Sequence, residues 1–368
     1  MIEILLLTVA LAVAFGNGAN DNFKGFATVW GSETLPYPRA LALATGATIA
    51  GSLASIWLAH GLIASFSGKG LVPPATAGSA HFLLSVAVGA AVTVALATRL
   101  GLPVSTTHAL IGGLIGAGLG QAGGVVHISP LVHSFVVPLL VSPLAAAALG
   151  AIAGRMLKRP DPQADCACVV APASAAVVAA TADGGAALAP TLPLPHLVVA
   201  APAECDGLDT AVRVSVSRTF DRAHIASVAS ICFARGVNDT PKLAALLLAA
   251  HALGASVSVA TIGGVMGIGG LLFARRVAET MSRRVTRIGH RDGLGANLVT
   301  AALVLFASKL GMPVSTTHVA VGSIMGIGAA GGTLDRATLR DILLSWVATL
   351  PLAAAVAYAA APLVDAVF

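Results

Sequence analysis

The chain has 368 residues, of which 57% are hydrophobic and only 10% charged, and its mean hydropathy is +0.89. A water-soluble domain carries about a quarter charged residues, so water is excluded as the main solvent. The net charge of +5 and pI near 9.3 would suggest a nucleic-acid partner in a soluble protein, but here Lys and Arg sit mostly in a few loops. No nucleic acid is expected, and the charges report orientation in a lipid bilayer.

Residues 4–15 are apolar but lack a positive leader region, carrying Glu3 instead, and run directly into GNGANDNFKG; they predict a first membrane helix and not a cleaved signal. Further apolar segments follow at about 40–66, 78–99, 103–122 and 131–157, and again at about 223–250, 252–273, 292–310, 313–331 and 339–366. The spacing predicts ten to twelve spans, with the first segment at about 2–28. The ten-residue alternating runs of a membrane barrel are missing, and abundant Gly and Ala suit close helix packing in lipid and permit a homodimer. The expected fold class is an all-α polytopic membrane protein.

Residues 158–222 begin with Lys158-Arg159-Pro160 and show neither a sustained polar face nor turn grammar. Five prolines and Asp183-Gly184-Gly185 interrupt their apolar part, which argues against a span. The division is therefore a membrane repeat at 1–157, a low-complexity linker at 158–222 and a second membrane repeat at 223–368. Cys166, Cys168, Cys205 and Cys232 lack zinc spacing or a disulfide framework and are expected to be incidental thiols.

Two motifs each occur twice in the same order. GANDNFKG from Gly18 is echoed by GVNDTPKL from Gly236, and GLPVSTTHALIGGLIGAG from Gly101 by GMPVSTTHVAVGSIMGIG from Gly311. Five segments before the linker would place the two copies in opposite orientations across the bilayer. The loops on one side then hold Arg39, Arg99, Arg155, Lys158, Arg159, Arg213, Arg218, Arg222, Arg275, Arg276, Arg283, Arg284, Arg287, Arg291, Arg336 and Arg340, against Lys69 and Lys309 on the other. The positive-inside rule makes the linker cytoplasmic and both termini external, in a multi-pass protein of the cell membrane.

Asn20-Asp21 and Asn238-Asp239 interrupt apolar stretches near mid-membrane, where a carboxylate is costly unless it faces protein or water. Flanking Gly16, Gly18 and Gly236 are expected to let the helix unwind, so that Asp and Asn oxygens with freed carbonyls could hold sodium at Asp21, Asn20, Asp239 and Asn238. Pro103 and Pro313 suit the first turn of a helix restarting inside the membrane, whose free N–H groups and positive dipole end favour an anion. Ser105, Thr106 and Thr107, with Ser315, Thr316 and Thr317, add hydroxyls that can donate to an oxyanion or accept a cation. Lys24 and Lys242 follow their aspartates by three residues; they either offset the charge of a bound anion or pair with their own aspartates. His108 and His318 either carry a proton or contact substrate, or else fix a neighbouring helix.

At these residues the chain resembles the inorganic phosphate transporter (PiT) family, whose halves each carry a GANDxxN-type and a GxPVSxTH motif. The resemblance implies inverted repeats with broken or re-entrant helices at the motifs, and phosphate bound between them and cotransported with sodium or protons. It implies that Asn20, Asp21, Ser105, Thr106 and Thr107 pair with Asn238, Asp239, Ser315, Thr316 and Thr317 around that substrate. Many members carry Asn where this chain has Lys24, which removes one oxygen that sodium would use. Sulfate symport and passive anion flux are the competing transport activities, no cofactor beyond the coupling cation is implied, and the lack of a metal-ligand cluster or nucleophile elbow argues against an enzyme.

Overall fold

The computed structural model describes every residue except 122–123, 158–162, 171–174, 181–185, 192–193, 209, 250–252 and 284–288. The expected charges at Lys158, Arg159, Arg284 and Arg287, and Asp183-Gly184-Gly185, lie outside the described residues. The chain divides into two compact units, Met1–Leu157 with His224–Phe368, and Lys158–Ala223.

The larger unit is helical. Its first half contains α1 (Ile2–Asp21), α2 (Phe23–Gly31), α3 (Tyr37–Leu58), α4 (His60–Phe66), α5 (Ala80–Leu100), α6 (Thr106–Gln121), α7 (Ile128–Leu131) and, after the π-helical turn Val132–Val136, α8 (Val137–Met156). After the short α9 (Pro202–Asp206) of the smaller unit, the second half contains α10 (Val216–Ala249), α11 (Ala255–Phe273), α12 (Arg275–Arg283), α13 (His290–Lys309), α14 (Thr316–Gly331) and α15 (Arg336–Val367).

Among the described residues six stretches are long and apolar enough to cross a bilayer: Ile2–Gly31, Tyr37–Leu58, Ala80–Leu100, Ile128–Met156, Ala255–Phe273 and Arg336–Val367. Ten to twelve were expected, and these six are the candidates that length and hydropathy support. At 16 residues each, α6 and α14 reach only about 24 Å, short of the roughly 30 Å hydrocarbon core. Long α10 instead contains Arg235, Asp239 and Lys242 in its buried stretch.

The two halves interlock. Helix α6 packs on α15 and α14 on α8, so each half's short helix lies against the other half's last long one, while α1 packs on α11 and α5, and α11 on α3. The backbones come close enough to require glycine: a Cβ on Gly116 would sit 2.0 Å from the Ala354 carbonyl oxygen, and one on Gly326 2.0 Å from that of Ala147. Small residues one turn apart, Gly112 with Gly116 and Gly322 with Gly326, make these two contacts equivalent. Helices α5 and α6 also pack on each other, as do α13 and α14, so the chain breaks and turns back at each PVSTTH segment.

The helix does not unwind at the Asn-Asp pairs, contrary to expectation. Helix α1 continues through Asn20 and Asp21 into α2 across Asn22, whose backbone is itself α-helical, and α10 runs unbroken through Asn238, Asp239 and Pro241. Partners on neighbouring helices satisfy the polar side chains, so no backbone opening is needed. The adjoining glycines serve approach instead: a Cβ on Gly18 would lie 1.9 Å from the Met266 carbonyl oxygen, and one on Gly236 2.2 Å from that of Thr48.

The smaller unit adds strands to the expected all-α class; the chain is mostly helical. It contains β1 (Cys166–Val170), β2 (Ala175–Ala180), β3 (Ala186–Thr191), β4 (His196–Ala200) and β5 (Thr210–Ser215). Strand β1 is central in an antiparallel sheet of order β4-β1-β5, and β2 and β3 form an antiparallel pair from Ala175↔Thr191 to Ala180↔Ala186. Val-rich runs such as Cys166–Val170 and His196–Ala200 favour extended backbone, and the prolines that argued against a membrane helix are compatible with short edge strands.

Candidate functional site

The broken helices bring the motif residues of both halves to one buried place. Ser105 and Ser315 stand just ahead of α6 and α14, and their hydroxyl oxygens accept from the backbone N–H of His108 and His318, at 3.1 and 3.2 Å. These serines are therefore N-caps that fix the helix starts. The threonine after each serine faces a carboxylate. Thr106 Oγ1 donates to Asp21 Oδ2 at 3.2 Å and Thr316 Oγ1 to Asp239 Oδ2 at 3.3 Å. Across the halves, Thr107 Oγ1 donates to the Val314 carbonyl at 3.4 Å and Thr317 Oγ1 to the Val104 carbonyl at 2.8 Å.

The two asparagines hold these segments in place. Asn20 Nδ2 donates to Thr98 Oγ1 and to the Leu102 carbonyl, while its Oδ1 accepts from the Val104 N–H at 3.1 Å. Asn238 Nδ2 donates to Asp239 Oδ1 and to the Val314 carbonyl, and its Oδ1 accepts from Ser308. Both amides are thus engaged in anchoring the PVST backbones.

The lysines do not snorkel. Each is only 2% exposed, pairs with its own aspartate and reaches a threonine of the other half. Lys24 Nζ lies 2.8 Å from Asp21 Oδ2 and donates to Thr316 Oγ1 at 2.6 Å. Lys242 Nζ lies 3.4 Å from Asp239 Oδ1 and donates to Thr107 Oγ1 at 2.9 Å and to the Val314 carbonyl at 2.7 Å. A carboxylate, a hydroxyl and a carbonyl around Lys242, and a carboxylate and a hydroxyl around Lys24, are oxygens of the kind a hard cation takes, and in both places an ammonium sits among them.

A third cation, Arg235, is missed by motif reasoning. It is 1% exposed, with Nε 3.8 Å from Asp239 Oδ2, Nη1 donating to Asn22 and Thr48, and Nη2 donating to Asn17 Oδ1 at 2.9 Å. Asn17 Nδ2 in turn lies 2.8 Å from Asp21 Oδ2, 3.0 Å from Thr106 Oγ1 and 3.5 Å from Asp239 Oδ2. Asn17 precedes Asn20 by three residues and Arg235 precedes Asn238 by three, so they are counterparts that meet at the centre. A charge inside an apolar run was the signal that could have found Arg235.

The histidines stand apart from the carboxylates. The His108 and His318 rings are 4.4 Å apart, and His318 stacks on Trp346 at 3.7 Å, whose Nε1 donates to the Pro103 carbonyl. His108 Nδ1 and His318 Nε2 lack a hydrogen-bond partner among the described residues.

The model of the phosphate transporter family matches residues 17–357, spanning both halves and every residue of this cluster. The chain belongs to that family. The transporter is accordingly not an enzyme. A "putative phosphate permease" of Pyrococcus furiosus is 29% identical over 394 residues, covering 96% of this chain and 94% of the relative. "Inorganic phosphate transporter 2-1, chloroplastic" of Arabidopsis thaliana is 27% identical, with coverage of 97% and 71%. A solved structure titled "The sodium-dependent phosphate transporter" superposes over 100% of both chains with a TM-score of 0.78 at 21% identity, which shows the same fold.

Proposed function

We propose that this transporter is a symporter that takes up inorganic phosphate as a monoanion, equivalent to the dianion with one proton, without using sodium. The observation that carries the proposal is the seating of Lys24 and Lys242 in the two oxygen cages. With all groups ionised, Lys24, Lys242 and Arg235 face Asp21 and Asp239, leaving a formal surplus of one positive charge in a buried site. An occluded intermediate must carry little net charge across the low-dielectric barrier. Monobasic phosphate cancels the surplus; the dianion needs one more positive charge, and a proton supplies it. Thr106, Thr107, Thr316 and Thr317, the capping serines Ser105 and Ser315, and the first N–H groups of α6 and α14 offer the donors for its oxygens.

The two halves act as repeats of opposite orientation, with the smaller unit cytoplasmic and the termini outside, in the cell membrane; the excess of Lys and Arg in one set of loops supports this. The test is uptake of labelled phosphate into proteoliposomes with pH and sodium gradients imposed separately. An acid-outside gradient should drive accumulation in choline buffer, and a sodium gradient alone should not. Arsenate, which protonates like phosphate, should compete; sulfate, a fixed dianion near neutral pH, should compete poorly. Accumulation driven by sodium alone would overturn the coupling, and flux without accumulation would indicate a passive anion pathway.

A further inference from the structure

In the smaller unit three cysteines far apart in sequence come together. Cys166 and Cys168 are two residues apart on β1 and so project from the same face of the sheet. Cys166 is opposite Ala200 of β4 and Ser215 of β5, and Cys168 is opposite Val198 and Arg213, which places both on the central strand. Directly after β4 the chain enters α9, whose Cys205 folds over that face. The three sulfurs lie within 4.8 Å of one another, Cys168 Sγ to Cys205 Sγ being 2.7 Å, and the side chains are 3%, 0% and 1% exposed.

The contacts around the cluster hold it shut. Arg213 of β5 pairs with Asp206 of α9 and donates to the Pro202 carbonyl, so it clamps the helix that bears Cys205. Asp165, just before β1, accepts from the hydroxyls of Ser215 and Ser217 and from the Ser217 N–H, joining the other end of the sheet. Among the described residues the buried apolar cluster of this unit consists of the three cysteines, with Val170, Val198 and Ala200 packed against them. A unit of this size commonly draws on disulfides or a metal for part of its stability.

We propose that Cys166, Cys168 and Cys205 bind one thiophilic metal ion of the Zn2+ or Cu+ class. A disulfide between any two would leave the third sulfur unpaired, whereas a metal engages all three. Zn–S bonds of about 2.3 Å in a tetrahedral site separate sulfurs by about 3.8 Å, within reach of the present grouping by small side-chain shifts. Thiolate sulfur is the donor that selects such ions over magnesium or calcium. Binding of Zn2+ by three thiols forms three Zn–S bonds and releases three protons, leaving a complex of charge minus one beside Arg213. Among the described residues no histidine or carboxylate joins the three sulfurs, and Asp206, next to Cys205 in the chain, is held by Arg213, so a fourth ligand on zinc comes from water or from a thiol of another molecule, while Cu+ is satisfied by the three sulfurs alone.

The experiment uses the full-length protein in detergent, purified under reducing conditions and stripped of metal. Zn2+ and, in a separate arm, Cu+ are titrated against a chromophoric chelator, and Co2+ is used to read thiolate charge-transfer absorption. The expected result is one ion per chain, about three protons released per Zn2+ in weak buffer, and at least a tenfold loss of affinity in Cys168→Ser and in Cys205→Ser. Cys232→Ser, which alters a cysteine of the larger unit that is not part of the cluster, should bind as the unaltered protein does. Phosphate uptake by the same variants reports whether the membrane unit remains folded, and it distinguishes failure at this site from failure of the proposed symport. Absence of stoichiometric metal, equal binding by the triple serine variant, or a Cys168–Cys205 disulfide with one free thiol in the reduced-purified protein would overturn the proposal.

Discussion

Replacing Lys24 by Asn tests the seated ammonium most directly. The substitution removes the cation 2.8 Å from Asp21 Oδ2 and leaves a carboxylate that is 1% exposed, with the Thr316 hydroxyl still beside it. Breaking a buried pair on one side costs about 3–5 kcal/mol, because the remaining charge loses its partner. At roughly 2–4 °C per kcal/mol for a chain of several hundred residues, the variant should melt about 6–20 °C below the unaltered protein in choline buffer. The emptied cage, with the new amide oxygen added, is then suited to sodium. Sodium at about a hundred times its dissociation constant would restore about 2.7 kcal/mol, most of the loss. Tryptophan-fluorescence melting in choline and in sodium, with uptake measured in the same two buffers, provides the assay. The variant should gain a sodium dependence of both stability and transport that the unaltered protein lacks. Equal melting temperatures in choline, or an equal sodium response in both proteins, would refute the reasoning.

Arg235→Met should abolish uptake and lower stability by about 3–5 kcal/mol, since Asp239 and the amides of Asn17 and Asn22 all lose a buried partner; Arg235→Lys should restore the charge without the fork and recover only part of either. Gly236→Ala should destabilise by about 1–3 kcal/mol or more, because its Cβ would meet the Thr48 carbonyl at 2.2 Å, while Gly264→Ala, with nothing within 4 Å, should be neutral or slightly stabilising in thermal melts. Asp335 caps α15 by accepting from the N–H groups of Ala337 and Thr338, and those bonds hold its carboxyl below the ordinary value of 3.8. A depressed carboxylate contributes stability that is present above its unfolded value and lost as pH falls through the folded one, so this contribution should persist at neutral pH and fade below about pH 4. Asp335→Ala should flatten the acid limb of a stability-versus-pH curve; an unchanged limb would exclude the cap as its source.

The motif residues were legible because they repeat. Asp21, Thr106, Lys24 and their counterparts stand at matched positions, and a carboxylate or ammonium in an apolar run already demands a partner. What repetition could not reveal was the pair that differs between the halves, Asn17 and Arg235, since a search for likeness passes over a position where an amide faces a guanidinium. The expected unwinding at the Asn-Asp pairs failed for a related reason: side chains from other helices, Thr98 and Thr48 among them, supply bonds that local sequence does not display. The strands of residues 166–215 were hidden by short Ala-Val runs that carry little polar alternation, and Cys205 is separated from its companions by the strands β2 to β4, across which no spacing rule announces the approach.

The contact between Asn17 and Arg235 also bears on how such a chain could arise. Two identical half-length polypeptides assembled about a twofold axis would have to present the same residue twice at that point. With arginine they would press two guanidinium groups together in a dry interior; with asparagine they would contain no central cation at all. In one polypeptide the two positions are free to differ, and this chain uses that freedom to set one guanidinium against one amide.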